Sequence, residues 1–555
     1  MECVCPHCGK LLQSGKLCFD LTDEVFARIE VLYQETYQTS AVPETVSRLK
    51  TAWESLHLSP AMFSEEELLN LTDGGDKREL CLFTDDWITR LEAYCHDLDR
   101  QKQQLRFREA AQTSFQDVYS GIRSILPKHE PEEPGIFYDT RDEFLRIPIR
   151  VMRKNDPNNS IVIDSVTTTR NTNTRYCPLC GGELSRWSGG YPELVLTVVG
   201  GPRMGKSTAL AACIGYFLQN NGTFGISCRE DDQDRGWRDF KTHYIESMER
   251  NQPVDPTRTT VEVIPRFTVH LEIIDNDGQR QRLNLTVVDL PGEYDRNGEE
   301  NATISDEIYR HYQDLYDHVD FIWYCTDQTE LEQLSDENSD TLKAAGHAAQ
   351  TKPMPTSRRL AKLQSYGNLM RKNTPALMLL CKSDMIQRNE QDPVLFSDTY
   401  QLFEEGTGVR ENGKFAPVIE GYNYYDRAYK VREYIRGRNS RLVDGFEAAF
   451  PAHTYLATSN YGHNFTDGSS QAKKAYMTEQ PLLWMLAVNG YLSIDLGQGR
   501  FGQANPDPND ECARAVWENL CMVQSGYRSP EWNRKEKRPP KTSSFFRFFF
   551  RFWCI

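Results

Sequence analysis

The segment that most constrains this chain runs from Val195 to Ala211, VLTVVGGPRMGKSTALA. Its apolar, β-branched start, Leu194 to Val199, predicts a fully buried strand. A glycine-rich turn of the form G-x-x-x-x-G-K-S begins at Gly200, and a helix from Lys206 to about Gln219 is predicted after it. A strand, turn and helix in this spacing predict a loop whose backbone N–H groups bind phosphate oxygens. A turn of the same shape that binds nothing is the alternative interpretation.

Each position of this phosphate loop has a chemical role. Glycine permits backbone angles and a close approach to phosphate that a Cβ would block. Lys206 would carry its charge to the β- and γ-phosphates, and the Ser207 hydroxyl would take one coordination position of Mg²⁺. Arg203 is open to two interpretations, contact with transition-state charge or simple solvent exposure. The predicted nucleotide contacts of this segment are Gly200, Gly201, Pro202, Arg203, Met204, Gly205, Lys206, Ser207 and Thr208.

Charge and cysteine usage limit the class of protein. The 555-residue chain has a formal net charge of −16, which opposes direct binding of nucleic acid. The N-terminal segment has no apolar leader, and no apolar run reaches the length of a membrane-spanning helix. The 15 cysteines fall into two short clusters and isolated apolar positions, a pattern typical of metal binding and reduced core thiols. We therefore expect a reducing cytoplasmic location.

Two C-P-x-C-G turns, one around Cys5 and Cys8 and one around Cys177 and Cys180, resemble the paired knuckles of a zinc ribbon. Their wide separation predicts a helical insertion between them. One tetrahedral Zn²⁺ bound by these four thiolates is the favoured interpretation, and two unrelated turns are the alternative. An all-cysteine site would be structural, not catalytic. Cys3 and Cys18 are predicted to be spare thiols, although either could replace a ligand.

These features divide the chain into three parts. Residues 1–190 would form the split zinc-ribbon knuckles around an insertion that is mainly helical from about 20 to 130, with extended segments around 144–152 and 160–167. Residues 191–495 would form the nucleotide-binding domain with its inserts. Residues 496–555 would be a linker and a basic aromatic tail.

A second phosphate-end motif follows a predicted antiparallel hairpin, Phe267 to Leu290. FTVHLEII and LNLTVVDL flank a DNDG turn, and the second strand ends in the D-x-x-G sequence that begins at Asp289. A carboxylate at this strand end can hold Mg²⁺ through water, and the Gly292 N–H can contact a γ-phosphate. The motif is a strong signal only because it follows the phosphate loop by about eighty residues.

The predicted base-recognition element follows the apolar strand Ala376 to Cys381. Asp384 could accept hydrogen bonds from both N1–H and the 2-amino group of guanine, while the Lys382 stem lies along the ring. Adenine offers neither donor at that edge. A further strand ends at Thr458 and Ser459 and resembles the S-A-x element whose backbone N–H contacts the guanine oxygen. For Lys382 to Asp384, a surface K-S-D sequence without a ligand is the alternative interpretation.

GGPRMGKS, DLPG, CKSD and ATSN, in this order, resemble the translation-factor-like (TRAFAC) class of P-loop GTPases over roughly residues 190–490. The resemblance implies an α/β fold: a mostly parallel sheet of strand order 2-3-1-4-5-6 flanked by helices, which binds and hydrolyses GTP with Mg²⁺. Cys381 stands where the class has Asn or Thr, which removes the bonds that Asn makes to the phosphate loop. The zinc-ribbon-like start is similar to the bacterial double-GTPase group, which implies a switch in antiviral defence with a second GTPase among its protein partners.

The resemblance also implies two switch residues. The threonine that binds Mg²⁺ with Ser207 and Asp289 could be Thr257, Thr259 or Thr260, and Thr257 is the first choice because it follows a proline. An ordinary loop hydroxyl is the alternative interpretation of Thr257. Glu293 occupies the position of a glutamine that orients the attacking water, so a carboxylate would act there, or hydrolysis would wait for a partner's group. A solvated loop glutamate is the alternative. We predict a GTP/GDP-binding switch, with an ATPase without guanine selectivity and a non-hydrolysing interaction scaffold as the other hypotheses.

The C-terminal tail, RKEKRPPKTSSFFRFFFRFWCI, joins a basic run to aromatic rings. It is too short to span a bilayer. Its composition fits docking into an apolar groove of this protein or a partner, which is favoured, and contact with anionic headgroups at the inner membrane face.

Overall fold

The protein, in a computed structural model, is described at residues 1–54, 56, 61–71, 78–82, 117–118, 120–122, 124–125, 145–153, 161–165, 169–201, 204–250, 266–274, 279–289, 315–328, 331, 363, 374–383, 409–412, 415–459 and 477–495. The chain divides into two compact units, Met1–Pro192 and Glu193–Ile555. Among the described residues, no helix combines the length and the apolar composition that crossing a bilayer requires.

The first unit combines short strands with helices, and residues 117–118, 120–122 and 124–125 are helical in addition to the elements named below. Its strands are β1 Glu2–Val4, β2 Leu11–Gln13, β3 Cys18–Asp20, β4 Met62–Ser64, β5 Arg78–Leu82, β6 Leu145–Arg153, β7 Ile161–Ser165, β8 Thr169–Thr172, β9 Arg175–Tyr176 and β10 Glu183–Leu184. Its helices are α1 Thr22–Tyr37, α2 Glu44–Glu54 and α3 Glu65–Leu71. A single turn of 3-10 helix covers Ser14–Lys16.

Three sheets organise these strands: a β1-β2 hairpin, a β10-β9-β3-β4 sheet and an antiparallel β5-β6-β7-β8 sheet. The core between helices and sheets includes Phe26 and Trp53, whose ring centroids lie 5.6 Å apart with an edge-to-face orientation. The two extended segments predicted around 144–152 and 160–167 are confirmed as β6 and β7. The segment predicted as mainly helical also contains β4 and β5, because strands of three and five residues are too short to show a period.

The second unit is built on a seven-stranded sheet. The strands of the whole unit are β11 Glu193–Gly200, β12 Ile226–Arg229, β13 Arg266–Ile274, β14 Arg280–Asp289, β15 Phe321–Asp327, β16 Ala376–Cys381, β17 Val409–Asn412, β18 Phe415–Glu420, β19 His453–Ala457 and β20 Ser493–Asp495. Its helices are α4 Lys206–Gln219, α5 Arg235–Phe240, α6 Glu246–Glu249, α7 Gly421–Arg438, α8 Ser440–Ala449 and α9 Gln480–Val488. A turn of π-helix, Lys241–Ile245, joins α5 to α6.

Strand order in the large sheet is β12-β13-β14-β11-β15-β16-β19, and β17, β18 and β20 form a separate small sheet. If β12 is left out and the other six strands are numbered along the chain from β11, the order is the expected 2-3-1-4-5-6. The pairs of β11 with β14 and β15, of β15 with β16 and of β16 with β19 are parallel, while β12, β13 and β14 pair antiparallel. The predicted hairpin is therefore confirmed, and β12 is an additional edge strand that its four residues did not reveal.

Helices pack on both faces of the sheet. Residues of α4, α5 and α9 share one buried core with Trp323 of β15, whereas the adjacent Tyr324 contacts Phe446 of α8 with ring centroids 6.0 Å apart. Successive residues of a strand face opposite sides of a sheet, so these contacts mark two layers. The five strands β11, β14, β15, β16 and β19 all end at the same edge, which is where loops of an open α/β sheet gather around a ligand.

Candidate functional site

The loop between β11 and α4 is shaped by two glycines and one lysine. Gly200 and Gly205 have φ angles of 144° and 85°, which side-chain-bearing residues rarely adopt. A Cβ on Gly200 would lie 2.3 Å from the Cys325 carbonyl oxygen of β15, so no larger residue fits there. Lys206 Nζ donates to the carbonyl oxygens of Gly200 at 3.2 Å and Gly201 at 2.9 Å, and the loop therefore curves around its own ammonium group.

The first turn of α4 faces the end of β14. Ser207 Oγ donates a hydrogen bond to Asp289 Oδ2, although the two residues are 82 positions apart. Asp289 Oδ1 is buried and has no hydrogen-bond partner among the described residues. Burial raises the Asp289 pKa to about 6, against the lowering effects of the Lys206 charge and the Ser207 hydrogen bond. Thr208 follows in the same helical turn.

This pair of oxygen-bearing side chains fits a divalent cation. Mg²⁺ prefers hard oxygen ligands, and a hydroxyl beside a carboxylate offers two. The buried Asp289 Oδ1 lacks a partner in the described structure, which is the condition that a bound cation or its water would relieve. The residues present therefore fit Mg²⁺.

The segments after β16 and β19 are joined by main-chain hydrogen bonds. The Ser383 N–H donates to the Thr458 carbonyl at 3.1 Å, and the Thr458 N–H donates to the Leu380 carbonyl at 2.9 Å. A Cβ on Gly205 would lie 3.3 Å from Cys381 Cβ, so the start of the C-K-S-D segment lies against the phosphate loop. The structure thus brings the phosphate loop and two predicted base-recognition segments to one edge of the sheet.

Lys382 has an ion-pair partner that the sequence analysis missed. Its Nζ lies 2.6 Å from Oδ2 of Asp327, the last residue of β15, whose side chain is 2% exposed. Asp327 is paired in register with Cys381, directly before the lysine. An acidic residue at the end of an apolar strand was the available signal. Ser459, predicted beside Thr458, is buried at the same edge.

Several predicted site residues lie outside the described residues. They are Pro202, Arg203, Thr257, Gly292, Glu293 and Asp384. Met204, by contrast, is partly buried and packs against the core beneath the loop. The described residues therefore include Lys206, Ser207 and Asp289 at the predicted phosphate end, and Lys382, Thr458 and Ser459 at the predicted base end.

The two C-P-x-C-G turns meet in the first unit. Cys5 Sγ lies 3.7 Å from Cys180 Sγ, Cys8 Sγ lies 3.9 Å from Cys177 Sγ, and all four sulfurs lie within 4.8 Å of one another. Four sulfurs bonded to one tetrahedral Zn²⁺ at about 2.3 Å would stand about 3.8 Å apart, so the spacing fits this metal.

Both knuckles have the same backbone design. The Cys5 N–H donates to the Lys10 carbonyl at 2.9 Å, and the Cys177 N–H donates to the Gly182 carbonyl at 2.8 Å. Gly9 and Gly181 follow the second cysteine of each turn with φ angles of 70° and 69°. Each glycine supplies the left-handed residue that turns the chain back toward the metal-binding side.

Burial and crowding shift the pKa values of the four thiols in different directions. Burial raises the Cys5 pKa well above its ordinary value, while hydrogen bonds, that from Cys177 first, lower the Cys180 pKa well below it. Burial also raises the pKa of Cys18 to about 12, and its Sγ donates to the Lys16 carbonyl at 3.6 Å. Cys3 and Cys18 are buried but lie outside the four-sulfur cluster.

Comparison with known proteins finds matches among solved structures. No protein-family model matches the chain, and no curated protein matches it. Among solved structures, it is similar to the S. cerevisiae Ski7 GTPase-like domain bound to GTP, with 12% identity, a TM-score of 0.22, and 54% of this chain and 50% of that chain covered. The same domain bound to GDP and inorganic phosphate gives 14% identity, a TM-score of 0.23, and coverages of 55% and 52%. The chain spans about half the length of these structures.

Proposed function

We propose that the second unit is a P-loop GTPase domain that binds GTP with Mg²⁺ and hydrolyses it as a molecular switch. One observation carries the proposal: Lys206, Ser207 and Asp289 meet at the carboxyl edge of a mostly parallel sheet, beside glycines of positive φ. A helix N-terminus, an ammonium group and a cation-binding oxygen pair are the groups that a magnesium triphosphate requires.

The residues divide the work at the phosphate end. Lys206 would exchange its bonds to the loop carbonyls for bonds to the β- and γ-phosphates, and the α4 N-terminus would face the same oxygens. Ser207, Asp289 and Thr257 would hold Mg²⁺, which neutralises charge between the β- and γ-phosphates. Gly292 would donate its N–H to the γ-phosphate. Glu293 would orient the attacking water, or hydrolysis would be slow until a partner supplies that group.

Guanine selectivity is proposed for the base end of the nucleotide site. Lys382, Thr458 and Ser459 lie where the β16 and β19 segments are bonded together, next to Gly205 of the phosphate loop. Asp384, two positions after Lys382, would accept from guanine N1–H and the 2-amino group, which adenine lacks. The competing hypothesis is an ATPase that keeps the phosphate-end residues and does not read the base.

A structural Zn²⁺ is proposed for Cys5, Cys8, Cys177 and Cys180, where it would cross-link two knuckles that are about 170 residues apart in the chain. The metal would stabilise the first unit and would have no part in hydrolysis.

The wider role follows only from the resemblance to bacterial double-GTPases. It extends the proposal to a cytoplasmic switch in antiviral defence, with a second GTPase among its protein partners. Residues 496–555 would then supply a docking tail for a protein groove or the inner membrane face.

Phosphate release from GTP tests whether the chain is an enzyme. Lys206→Ala removes the ammonium group that the phosphates require, so we expect release to fall roughly a hundredfold. Lys241→Ala is the matched control, because this lysine pairs with Glu230 on the surface of the same unit, 2.8 Å away. Equal rates for wild type and Lys206→Ala would support the scaffold hypothesis, in which no turnover occurs.

Competition between nucleotides tests the base. The purified chain is titrated with GTP in the presence of excess ATP or XTP. We expect GTP to resist both, since neither competitor presents guanine's pair of donors. Equal displacement by ATP would favour the ATPase hypothesis.

A further inference from the structure

The ion pair between Lys382 and Asp327 connects two neighbouring strands at the ligand edge. Lys382 Nζ lies 2.6 Å from Asp327 Oδ2, and the two side chains are 38% and 2% exposed. A nearly buried carboxylate beside a half-exposed ammonium group is an asymmetric pair. The acid is fixed by its surroundings and the lysine is the partner that faces outward, so the acid determines where the lysine stem points.

The backbone of Lys382 adds a second constraint. Its φ angle is 56°, a left-handed conformation that is unfavourable for a residue with a Cβ. Such conformations persist where the surrounding structure holds them and gather at ligand-binding sites. Lys382 therefore combines an unfavourable backbone conformation with an ion pair between its ammonium group and Asp327.

The lysine stem also lies against the phosphate loop. A Cβ on Gly205 would lie 4.0 Å from Lys382 Cε and 3.8 Å from Cys381 Sγ. The end of the aliphatic stem of Lys382 therefore lies near a glycine of the phosphate loop, with Asp327 at its ammonium group. Cys381, with its small thiol, makes no polar bridge to Gly205 in this arrangement, and its Sγ donates to the Leu379 carbonyl at 3.8 Å.

We propose that Asp327 is a positioning residue for the nucleotide base: it fixes the ammonium group of Lys382 so that the lysine stem forms one wall of the purine site. This inference rests on the proposed function. Asp327 does not itself touch the nucleotide, and its effect on binding passes through Lys382. The alternative is that the pair only cross-links β15 to β16, in which case it would affect folding and both ends of the ligand equally.

Calorimetric titration of the full chain with two probes separates these roles. Mg²⁺·GTP engages both ends of the site, and Mg²⁺·tripolyphosphate engages only the phosphate end. For Asp327→Asn we expect GTP affinity to fall about tenfold, the size of one charge-assisted hydrogen bond, with tripolyphosphate affinity unchanged. Asp239→Asn is the matched control, because this carboxylate pairs with Arg235 on the surface of the same unit, 3.8 Å away.

Lys382→Met and the double variant complete the test. Lys382→Met keeps an apolar stem but removes the ammonium group that pairs with Asp327. We therefore expect the same selective loss of GTP affinity, although Asp327 itself is not substituted. The double variant should bind GTP no more weakly than Lys382→Met alone. Three results would overturn the inference. The GTP affinity of the double variant could fall by the product of the two single losses, the two probes could lose affinity equally, or GTP affinity could stay unchanged. Failure of the wild-type chain to bind GTP would overturn the proposed function as well, which distinguishes the two failures.

Discussion

The cysteine cluster and the phosphate loop solve the same problem of bringing distant residues together, but with opposite electrostatics. Both use glycines of positive φ to turn the chain, and both connect segments far apart in sequence. Four like groups converge in the cluster, whereas the loop pairs its own charges, with Lys206 on carbonyl oxygens and Ser207 on Asp289. A set of converging thiolates needs a cation to be stable, while an internally paired loop can accept and release its ligand. The difference suits a permanent metal in one unit and an exchangeable nucleotide in the other.

The largest expected effect is on the cysteine cluster. Cys177→Ser removes one of the four proposed zinc ligands, and because zinc binding is coupled to folding, we expect metal content to fall from about one equivalent to less than half. The first unit should also become sensitive to proteolysis. Elemental analysis of the purified chain checks the metal. The proposed site would be contradicted if the wild-type protein held less than about half an equivalent of zinc and Cys177→Ser did not lower that content.

A smaller effect is expected at Ser207 and Asp289, the proposed cation-binding pair. Ser207→Ala deletes the hydroxyl that donates to Asp289, so we expect the affinity for GTP in Mg²⁺ to fall roughly tenfold to a hundredfold. Without Mg²⁺ the variant and wild type should differ little. Ser227→Ala, on the edge strand β12, is the matched control. A similar loss with and without the cation would contradict a role in magnesium binding.

The pH dependence of binding isolates Asp289. Burial raises its pKa from 3.8 to about 6, so the folded protein holds this proton more tightly than the unfolded chain. The stability that this group contributes is therefore present below pH 4 and is lost as the pH rises through 6. Cation binding needs the ionised form.

We therefore expect Mg²⁺·GTP affinity to weaken about tenfold between pH 7 and pH 5, beyond what the nucleotide's own titration causes. Asp289→Asn has no group that titrates at this position and supplies the baseline for that titration. Parallel pH profiles for the wild type and the variant would contradict the assignment of the step to Asp289.

The smallest expected effect is at Cys18. Its thiol is not one of the four sulfurs that lie within 4.8 Å of one another, and its Sγ instead donates to the Lys16 carbonyl at 3.6 Å. Cys18→Ser should leave the metal content unchanged, since serine can still donate to the Lys16 carbonyl. A loss of zinc comparable to that of Cys177→Ser would show that Cys18 replaces one of the four proposed ligands.

Much of the second unit could be predicted because its strands are long and apolar. The strand before Gly200, the helix Lys206–Gln219 and the hairpin were visible from period and turn chemistry alone. The edge strand β12 and the small sheet were missed, because strands of three to six residues without a turn signal have no distinctive pattern.

The sites show the same limit. Lys206 and Cys177 lie in motifs whose spacing is typical of phosphate binding and zinc binding, so both residues could be predicted from the sequence. Asp327 lies in no such motif. Its importance depends on the parallel pairing of β15 with β16, which places it in register with Cys381, and that neighbour is 54 positions later in the chain. Contacts between strands of this kind follow from topology and are not encoded locally.

The most direct test of the central claim, that one site binds a magnesium triphosphate and distinguishes its purine, is a preference switch at Asp384. Affinities for GTP and XTP are measured on the wild-type chain and on Asp384→Asn. Because an amide can donate to the xanthine oxygen where the carboxylate accepted from the guanine amino group, we predict that preference changes from GTP to XTP. Equal loss of both nucleotides, or a preference that does not change, would contradict it.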